Sequence, residues 1–264
     1  MLVYHYTSLD AFTHIVDATG IHLWATLFSK LNDPREVALL RDVRLPKLAR
    51  KYNKTKQEMM EIYENFPYIL SLCEKPDIPY MWEKYADNGN GVVLAFDKET
   101  LESIAAQNFE GDVDDDFFLQ IRYCKPGEED AAYDALSKII CCYNDEAMSD
   151  FQSFAFVKGE EYKVEQEWRY ARIRQNIMSF EPLEEGNCKF HFDEDDRNVQ
   201  HRQRGGEDIP YLTIDFPTNA LRQVHYLAKN FPHNEVNIIQ DTLDKNPIGY
   251  KDVEVIPNNT IINI

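Results

Sequence analysis

The chain has 264 residues, and 44% of them are hydrophobic, which is enough to fill one large core or two smaller ones. Asp and Glu number 46 against 28 Lys and Arg, giving a formal net charge of −18. A surface this acidic repels phosphate backbones and anionic lipids, so generic nucleic-acid binding and membrane binding are disfavoured.

The sequence also lacks the signals of a membrane or secreted protein. No apolar stretch is long enough to span a bilayer, and residues 1–6 lack the basic start and apolar core of a signal peptide. The cysteines show no CxxC spacing and indicate neither a zinc site nor a disulfide framework. They are Cys73, Cys124, Cys141, Cys142 and Cys188. These features predict a soluble, cytoplasmic protein in a reducing compartment, with no bound metal.

The first elements follow from alternation and capping residues. Residues 2–6 alternate and are rich in β-formers, which predicts a strand. Ser8 can cap a helix that Gly20 would close, and residues 21–25 predict a second strand. Pro34, in the polar turn that follows, can begin the next helix.

The middle of the chain continues in the same mixed pattern. Thr55 and Glu58 form a capping box ahead of another helix. Residues 68–73 predict a short apolar strand, and a helical turn follows at residues 82–85. The strongly apolar residues 91–96 predict a central strand.

Acidic and helical segments then precede the last strands of this half. Residues 110–116 predict an acidic loop, and residues 118–123 predict a strand. Residues 129–157 are mostly helical by spacing, and residues 167–173 predict another strand.

Residues 181–209 are polar, charged and irregular, which indicates either a mobile lid or an ordered excursion. Strands are predicted after it at residues 211–216, 223–227 and 253–256, and a helix near residues 235–243. Strands outnumber the crossover helices of a βαβ pattern. The sequence therefore predicts one α+β domain spanning residues 1–264, whose last third completes or flanks the same sheet.

The most informative motif is the run at residues 162–170, which places Glu165 and Glu167 two positions apart. On a strand these side chains would share one face, and their repulsion would raise the pKa of one of them. A site that stabilises positive charge or shares a proton gains from this arrangement. The alternative is the solvated face of an edge strand.

Other chemical signals are weak individually, because the chain has no GxGxxG, Walker, HExxH or GxSxG motif. His5 lies in a strand, where a histidine is usually structural. Ser71 and Cys73 would point to one face of their strand. Trp82 and Tyr85 share a helix face, for which core packing is the default explanation.

The order of the motifs is more specific than any one of them. The chain reads HYTS at 5–8, NDPRE at 32–36, SLC at 71–73, MWEKYA at 81–86 and EQEWR at 165–169. This succession resembles the bacterial family called domain of unknown function 2971. Its members typically read HYTS, NDPxE, a short Ser-containing strand, MWxxYA before a Gly-led strand, and ExEWR.

That family looks like a distant branch of the ADP-ribosyltransferase fold, a split β-sandwich with flanking helices that holds NAD in a cleft. In that fold the first strand carries Arg or His, a middle strand carries Ser-x-Ser and a late strand carries Glu. His5, Ser71 and the pair Glu165 and Glu167 match these positions, while Cys73 replaces the second Ser. The resemblance implies that Glu167 is the catalytic carboxylate, with Glu165 auxiliary to it and His5 on a ribose hydroxyl.

The resemblance implies further NAD contacts from the first strand, first loop, middle strand, helical turn and late strand. These are Tyr6, Thr7, Asn32, Asp33, Ser71, Trp82, Tyr85 and Arg169. Arg169 falls on the face of the two glutamates and could orient one through a charge-assisted hydrogen bond. For Asn32 and Asp33, a structural turn is the competing explanation.

The expected function is NAD-dependent ADP-ribosyl transfer or NAD glycohydrolysis, with NAD as co-substrate. Cleaving the nicotinamide–ribose bond creates an oxocarbenium-like transition state, which a fixed carboxylate such as Glu167 can stabilise. The acidic surface favours a protein or small-molecule acceptor over nucleic acid. The acceptor's identity and a cognate inhibitor protein stay open.

Two alternatives remain. One is a non-catalytic module on the same fold that binds NAD-like nucleotides or a protein. A Glu167 buried in an ion pair with Arg169, together with a cleft filled by side chains, would favour the module. An open cleft in which Glu167 faces a site of nicotinamide size would favour the enzyme. The other is a glycoside or nucleoside hydrolase that uses Glu165 and Glu167, although such enzymes place their carboxyls on both sides of the scissile bond.

Overall fold

The computed structural model describes residues 1–65, 67–109, 114–140, 150, 153–174, 178–182, 188–192, 198–230 and 233–261. Within these ranges the fold is α+β, with a ten-stranded main sheet, two two-stranded sheets and several helices. Among the described residues, none of the helices combines the length and the apolar composition that crossing a membrane requires.

The chain begins with β1 (Leu2–Thr7), α1 (Leu9–Ile15) and β2 (Ile21–Leu27). The predicted cap is confirmed, since the Ser8 hydroxyl accepts a hydrogen bond from the Ala11 amide at 3.1 Å. The prediction that Gly20 closes this helix is wrong. The helix ends at Ile15, because Val16 turns extended and forms a bridge with Ile21, which places Gly20 in the connecting turn.

The next segment is helical: α2 (Pro34–Ala38), a π-helical stretch (Leu39–Arg44), α3 (Leu45–Lys51) and α4 (Lys56–Asn65). Asp33 caps α2 by accepting from the Arg35 amide at 3.0 Å, so Pro34 begins that helix as predicted. The predicted capping box is also confirmed. The Glu58 carboxylate accepts from the Thr55 amide at 2.8 Å, and the Thr55 hydroxyl accepts from the Glu58 amide at 3.2 Å.

The central elements are β3 (Tyr68–Cys73), α5 (Pro79–Tyr85), β4 (Val92–Asp97) and α6 (Lys98–Phe109). The predicted central position of β4 is confirmed, because β4 pairs with β1 on one edge and with a C-terminal strand on the other. Gly91 precedes β4 at a close approach of two backbone segments. A Cβ there would lie 2.1 Å from the Thr7 carbonyl oxygen, so only glycine fits.

The following segment contains β5 (Asp114–Gln120), β6 (Arg122–Cys124), α7 (Glu129–Ile140), β7 (Val157–Gly159) and β8 (Glu167–Arg174). The acidic loop is wrong for residues 114–116, which lie in β5, and the single predicted strand is two strands interrupted at Ile121. The predicted long helix is also wrong at its end, because residues 153–156 form a 3₁₀ helix. Residues 110–113, 141–149 and 151–152 lie outside the described residues.

The last elements are β9 (Met178–Pro182), β10 (Cys188–Phe192), β11 (Gln200–Arg204), β12 (Glu207–Phe216), β13 (Leu221–Leu227), α8 (His233–Leu243) and β14 (Glu254–Asn258). The described part of 181–209 is therefore not irregular, since β9 pairs with β10 and β11 pairs with β12. Polar side chains suit β11, which lies at an edge of the main sheet. Residues 183–187 and 193–197 lie outside the described residues, and the lid stays a prediction.

The main sheet divides at β3. One edge of β3 pairs with β2 at Tyr68 and Ile69 and with β1 at Cys73, so β1 and β2 separate between these contacts. The other edge of β3 pairs with β8 along its length, and β8 pairs in turn with β5. The strand order is β11-β12-β2-β3-β1-β4-β13-β14, with β8 and β5 attached beside β3.

The register between β3 and β8 sets which side chains share a face. Cys73 lies opposite Glu167, and Ser71 lies opposite Arg169. Because side chains alternate along a strand, these four residues project to the same side of the sheet. The opposite side of β3 and β8, including Leu70 and Tyr170, belongs to the largest hydrophobic cluster.

Candidate functional site

A cavity of about 330 Å³ lies where β1 and β2 separate. The lining comes from β1, β2, β3 and β11, from α1, α2 and α5, from the loop before α2 and from the chain around β7 and β8. Nine residues predicted from the sequence line it: His5, Tyr6, Thr7, Asn32, Asp33, Ser71, Tyr85, Glu165 and Glu167. Motifs far apart in the sequence therefore meet at one cavity, at the small end of the range of roughly 300 to 1,000 Å³ usual for ligand pockets.

Trp82 is not part of this lining. Its side chain is fully buried, its Nε1 donates to the Pro76 carbonyl at 2.7 Å, and its ring meets the Tyr6 ring edge-on at 5.6 Å. The predicted stacking of Trp82 on a nicotinamide ring is therefore replaced by core packing. The cause is that Trp82 faces the cluster around Tyr6, behind the cavity wall.

Glu165 reaches the cavity by a different route from the predicted one. The sequence analysis placed Glu165 and Glu167 on one continuous strand, and this is wrong. Glu165 ends a 3₁₀ helix (Glu160–Glu165), and β8 begins only at Glu167. Gln166 between them has φ of 46°, a left-handed conformation that interrupts the extended backbone.

Lys158 brings the two carboxylates together in spite of that interruption. Its Nζ lies 2.8 Å from an oxygen of Glu165 and 2.6 Å from an oxygen of Glu167. A third carboxylate, Glu36 from α2, lies 3.0 Å from the same nitrogen. Lys158 is 3% exposed, so this lysine is charged inside the protein only because the carboxylates surround it.

Arg169 lies behind the carboxylates and does not line the cavity. Its Nε donates to Glu167 at 2.8 Å, one terminal nitrogen donates to the Ala155 carbonyl at 2.6 Å, and the other pairs with Glu36. The predicted charge-assisted hydrogen bond between Arg169 and a glutamate is thus present. The guanidinium is fully buried and fixes the orientation of Glu167.

The cluster joins three carboxylates (Glu36, Glu165, Glu167) to two cations (Lys158, Arg169), all of them buried. Burial raises the pKa of Glu167, but Arg169 and Lys158 outweigh it and lower that pKa to about 2. Burial, together with the charge of Glu167, raises the pKa of Glu165. One glutamate of the pair therefore has a raised pKa, as the sequence predicted, and the two residues titrate in different ranges.

Glu165 also carries the clearest unmet polar group at the cavity. Its Oε1 is buried and has no hydrogen-bond partner among the described residues, while its side chain is 3% exposed. Lys84 Nζ lies 3.9 Å away, beyond hydrogen-bond reach. A buried acceptor without a donor costs about 1 to 3 kcal/mol, so a ligand hydroxyl or amide at this point would be stabilising.

His5 and Ser71 lie at the gap between β1 and β2. His5 Nδ1 is 3.0 Å from the Ser71 carbonyl oxygen. Burial lowers the pKa of His5 more than this hydrogen bond raises it, which favours the neutral imidazole. Ser71 is exposed within an otherwise buried strand because it borders the cavity. Burial and the charges of Glu167 and Glu165 raise the pKa of the Cys73 thiol, which disfavours its thiolate form.

The first loop has a structural role as well as a place in the lining. The Asp33 carboxylate caps α2 and binds Arg35 at 2.9 and 3.2 Å, and Asn32 accepts a hydrogen bond from Arg204. The structural-turn explanation therefore holds for both residues, although both border the cavity. Tyr85 forms part of the wall, and burial with the charge of Glu165 raises its pKa to about 12.

Three charged residues of the lining were not predicted from the sequence: Glu36, Lys158 and Arg202. The position of Lys158 in the sequence was a usable signal. It directly follows the apolar residues 154–157, which indicates burial, and a buried lysine is usually paired with a carboxylate. Glu36 had a signal as well, as the last residue of the quoted NDPRE motif. Arg202 lies in a polar stretch of the sequence, which gives no sign that this arginine borders a cavity.

Comparisons with known proteins add one finding. The model of a family described as "Protein of unknown function (DUF2971)" matches residues 81–170. The matched segment contains MWEKYA and EQEWR, so it supports the resemblance for those two motifs, while the three earlier motifs lie outside it. No curated protein and no solved structure matches the chain. In the described part of the chain, no three His, Cys, Asp or Glu side chains are grouped to hold a metal ion.

Proposed function

We propose that this protein binds NAD in the cavity and cleaves the bond between nicotinamide and ribose, passing ADP-ribose to an acceptor or to water. The observation that carries the proposal is the pair Glu165 and Glu167 at the cavity wall, where the buried Oε1 of Glu165 has no hydrogen-bond partner among the described residues. The separation of β1 from β2 supports an ADP-ribosyltransferase-like split sandwich as the fold.

The two glutamates would divide the work. Glu167, with its low pKa, stays ionised and would stabilise the positive charge that develops on the ribose ring. The nicotinamide leaves with the electron pair of the broken C–N bond and becomes neutral, so it needs no acid. The acceptor loses a proton as its oxygen bonds to ribose C1′. Glu165, whose pKa is raised, is the carboxylate suited to take that proton.

Three further residues would position the ligand. The neutral His5 can hydrogen-bond a ribose hydroxyl through the nitrogen that does not bind Ser71. Ser71 offers a hydroxyl at the cavity surface, and the Tyr85 ring offers an apolar wall for a flat heterocycle. The high negative charge of the chain supports a protein or small-molecule acceptor over nucleic acid.

A second candidate is a module that binds an NAD-like nucleotide without turnover. The observation in its favour is the ion pairing of Glu167 with both Arg169 and Lys158, at 2.8 and 2.6 Å, which offsets the charge that catalysis requires. A glycoside hydrolase is disfavoured. Both glutamates bind one lysine nitrogen, so they approach a ligand from one side and do not flank its scissile bond.

The test is release of nicotinamide from NAD by the purified protein and by the Glu165→Gln and Glu167→Gln variants. Glu160→Gln is the matched control, because Glu160 lies in the same 3₁₀ helix as Glu165 but is exposed. We expect release by the parent and by the control, and at least a hundredfold less by the two site variants, since a transition-state charge contact contributes roughly that much.

Each other result has a defined meaning. Equal release by the parent and both site variants would contradict the assigned roles. NAD binding without release would favour the non-catalytic module. No binding of NAD by calorimetry would eliminate both versions of the proposal.

A further inference from the structure

A second charged group borders the cavity on the side of β2. Arg202 lies on β11, and its side chain extends past β12 to β2. There one of its terminal nitrogens donates a hydrogen bond to the Thr26 hydroxyl at 3.0 Å. The guanidinium lies 5.3 Å from the centre of the Trp24 ring and 5.8 Å from that of Tyr211. These cation–π contacts hold the guanidinium in place without neutralising its charge.

Arg202 has an unmet donor and no counter-ion in the ranges that the structure describes. Its Nε is buried without a hydrogen-bond partner there, and no described carboxylate lies within 4.0 Å of it. Lys158, the other lysine or arginine of the lining, has three carboxylates around it. An arginine keeps its charge when buried, so an uncompensated guanidinium favours an anionic ligand.

The two charged ends of the cavity are separated along β3. Arg202 bonds Thr26, which pairs with Ile69, whereas Glu167 pairs with Cys73. Four residues of a strand span about 13 Å at about 3.3 Å per residue. A ligand that extends between them would meet a cation at one end and carboxylates at the other.

We propose that Arg202 binds a phosphate group of the ligand, so that the cavity takes a phosphate-bearing nucleotide with its sugar toward Glu165 and Glu167. Guanidinium donors match the geometry of phosphate oxygens, and Arg202 lines the cavity without a carboxylate partner among the described residues. This inference rests on the proposed function for the direction of the ligand. The phosphate contact itself does not depend on cleavage of NAD.

The experiment is calorimetry with ADP and with adenosine, which differ by the diphosphate. The variants are Arg202→Gln and Arg202→Lys, with Arg222→Gln as the control, because Arg222 is exposed on β13 and does not line the cavity. We expect the parent and the control to bind ADP at least tenfold more tightly than adenosine, since a charged hydrogen bond contributes about that factor or more. Arg202→Gln should lose this preference, and Arg202→Lys should keep part of it.

The effect of salt gives a second readout that a packing role would not produce. Raising the salt concentration should weaken ADP binding by the parent and by Arg202→Lys, but not adenosine binding. If Arg202→Gln does not fold, as judged by thermal unfolding, then Arg202→Lys and the salt series carry the test.

Three results would overturn the inference: no preference for ADP in the parent, an equal loss of ADP and adenosine binding in Arg202→Gln, or a preference that survives in Arg202→Gln. Failure of the proposed NAD cleavage can be distinguished from failure of the phosphate contact. A parent that prefers ADP through Arg202 but releases no nicotinamide from NAD supports the phosphate contact and contradicts the enzyme.

Discussion

β8 carries an arginine paired with a buried carboxylate on each of its faces, and the two pairs differ. On one face Arg172 binds Asp116, which is 2% exposed, through two hydrogen bonds of 2.7 Å. Tyr170 and Asn108 donate to the same carboxylate at 2.5 and 2.7 Å. Both oxygens of Asp116 are therefore satisfied, and one arginine balances one carboxylate.

The opposite face holds three buried carboxylates and two buried cations, with Lys84 Nζ a further 3.9 Å from Glu165. Arg169 and Lys158 compensate Glu167 and Glu36, while Glu165 keeps an oxygen that has no hydrogen-bond partner among the described residues. Glu165 itself lines the cavity. A buried ion pair whose oxygens are all satisfied, like that of Asp116, gives no reason to propose a ligand. On the other face, the residue that lacks a hydrogen-bond donor also lines the cavity, and this is the ground for proposing a ligand there.

The largest expected loss of stability comes from replacing Arg169, and it should exceed the loss from replacing Arg172. Replacing Arg169 with Met leaves two buried carboxylates short of a cation, and we expect it to lower the free energy of unfolding by about 3 to 5 kcal/mol. Arg172→Met should cost less, about 1 to 3 kcal/mol, because the Arg172 side chain is 19% exposed and water can replace it. Urea unfolding of both variants measures the difference. An equal or larger loss for Arg172→Met would contradict the comparison.

The next effect is on acid stability. The pKa of Glu167 is about 2 in the folded protein, below the value of about 4.3 of an unfolded glutamate. Its ionised form therefore favours the fold. This contribution is complete above about pH 4.3 and is lost as the pH falls toward 2. Glu167→Gln should remove that part of the pH dependence from urea unfolding measured across this window. A variant as acid-sensitive as the parent would show that Glu167 is not the low-pKa group.

Glu165→Gln should have a smaller effect on stability, within about 1 kcal/mol at neutral pH, because Lys158 keeps its ion pairs with Glu36 and Glu167 when the Glu165 charge is removed. The pKa of Glu165 is raised in the folded protein, so its protonated form favours the fold. That contribution is present below about pH 4.3 and is lost as the pH rises through the folded pKa. Thermal unfolding of parent and variant between pH 4 and 8 tests this. A loss as large as that of Arg169→Met would make Glu165 structural.

The smallest expected effect is that of Ser71→Ala, whose free energy of unfolding should stay within about 0.5 kcal/mol of that of the parent. The Ser71 side chain faces the cavity, and its hydrogen bond with His5 uses the backbone carbonyl, which the substitution keeps. Cys73→Ser, two residues further along the same face, is the contrasting variant because Cys73 is 2% exposed. Chemical denaturation that shows a large loss for Ser71→Ala would contradict the assignment of Ser71 to the open part of the site.

Alternation and capping predicted the strands that frame the site, because β1, β3, β4 and β8 are read locally from apolar spacing. The contact of Arg169 with Glu167 was also predictable, since residues two apart on a strand share a face. The left-handed Gln166 was not, because glutamine gives no signal for that conformation.

The rest of the site depends on long-range contacts that no local pattern encodes. Glu36 and Arg169 are 133 positions apart in the sequence, and Arg202 and Thr26 are 176 apart. The free oxygen of Glu165 is likewise a property of the assembled cluster. The sequence could therefore name Glu165, Glu167 and Arg169, but not Glu36, Lys158 or the second end of the cavity at Arg202.

We expect a ligand on the face of β8 that carries Glu167 and Arg169, next to Glu165, and none on the face that carries Arg172 and contacts Asp116. The direct measurement is carbon-13 NMR of the Glu and Asp side-chain carboxyls during a titration with NAD, with signals assigned from Glu165→Gln and Asp116→Asn. We expect the Glu165 signal to titrate above the usual glutamate range of about 4.3 and to shift when NAD is added, while the Asp116 signal stays fixed. An Asp116 signal that shifts as much, or a Glu165 signal that does not respond, would contradict the claim.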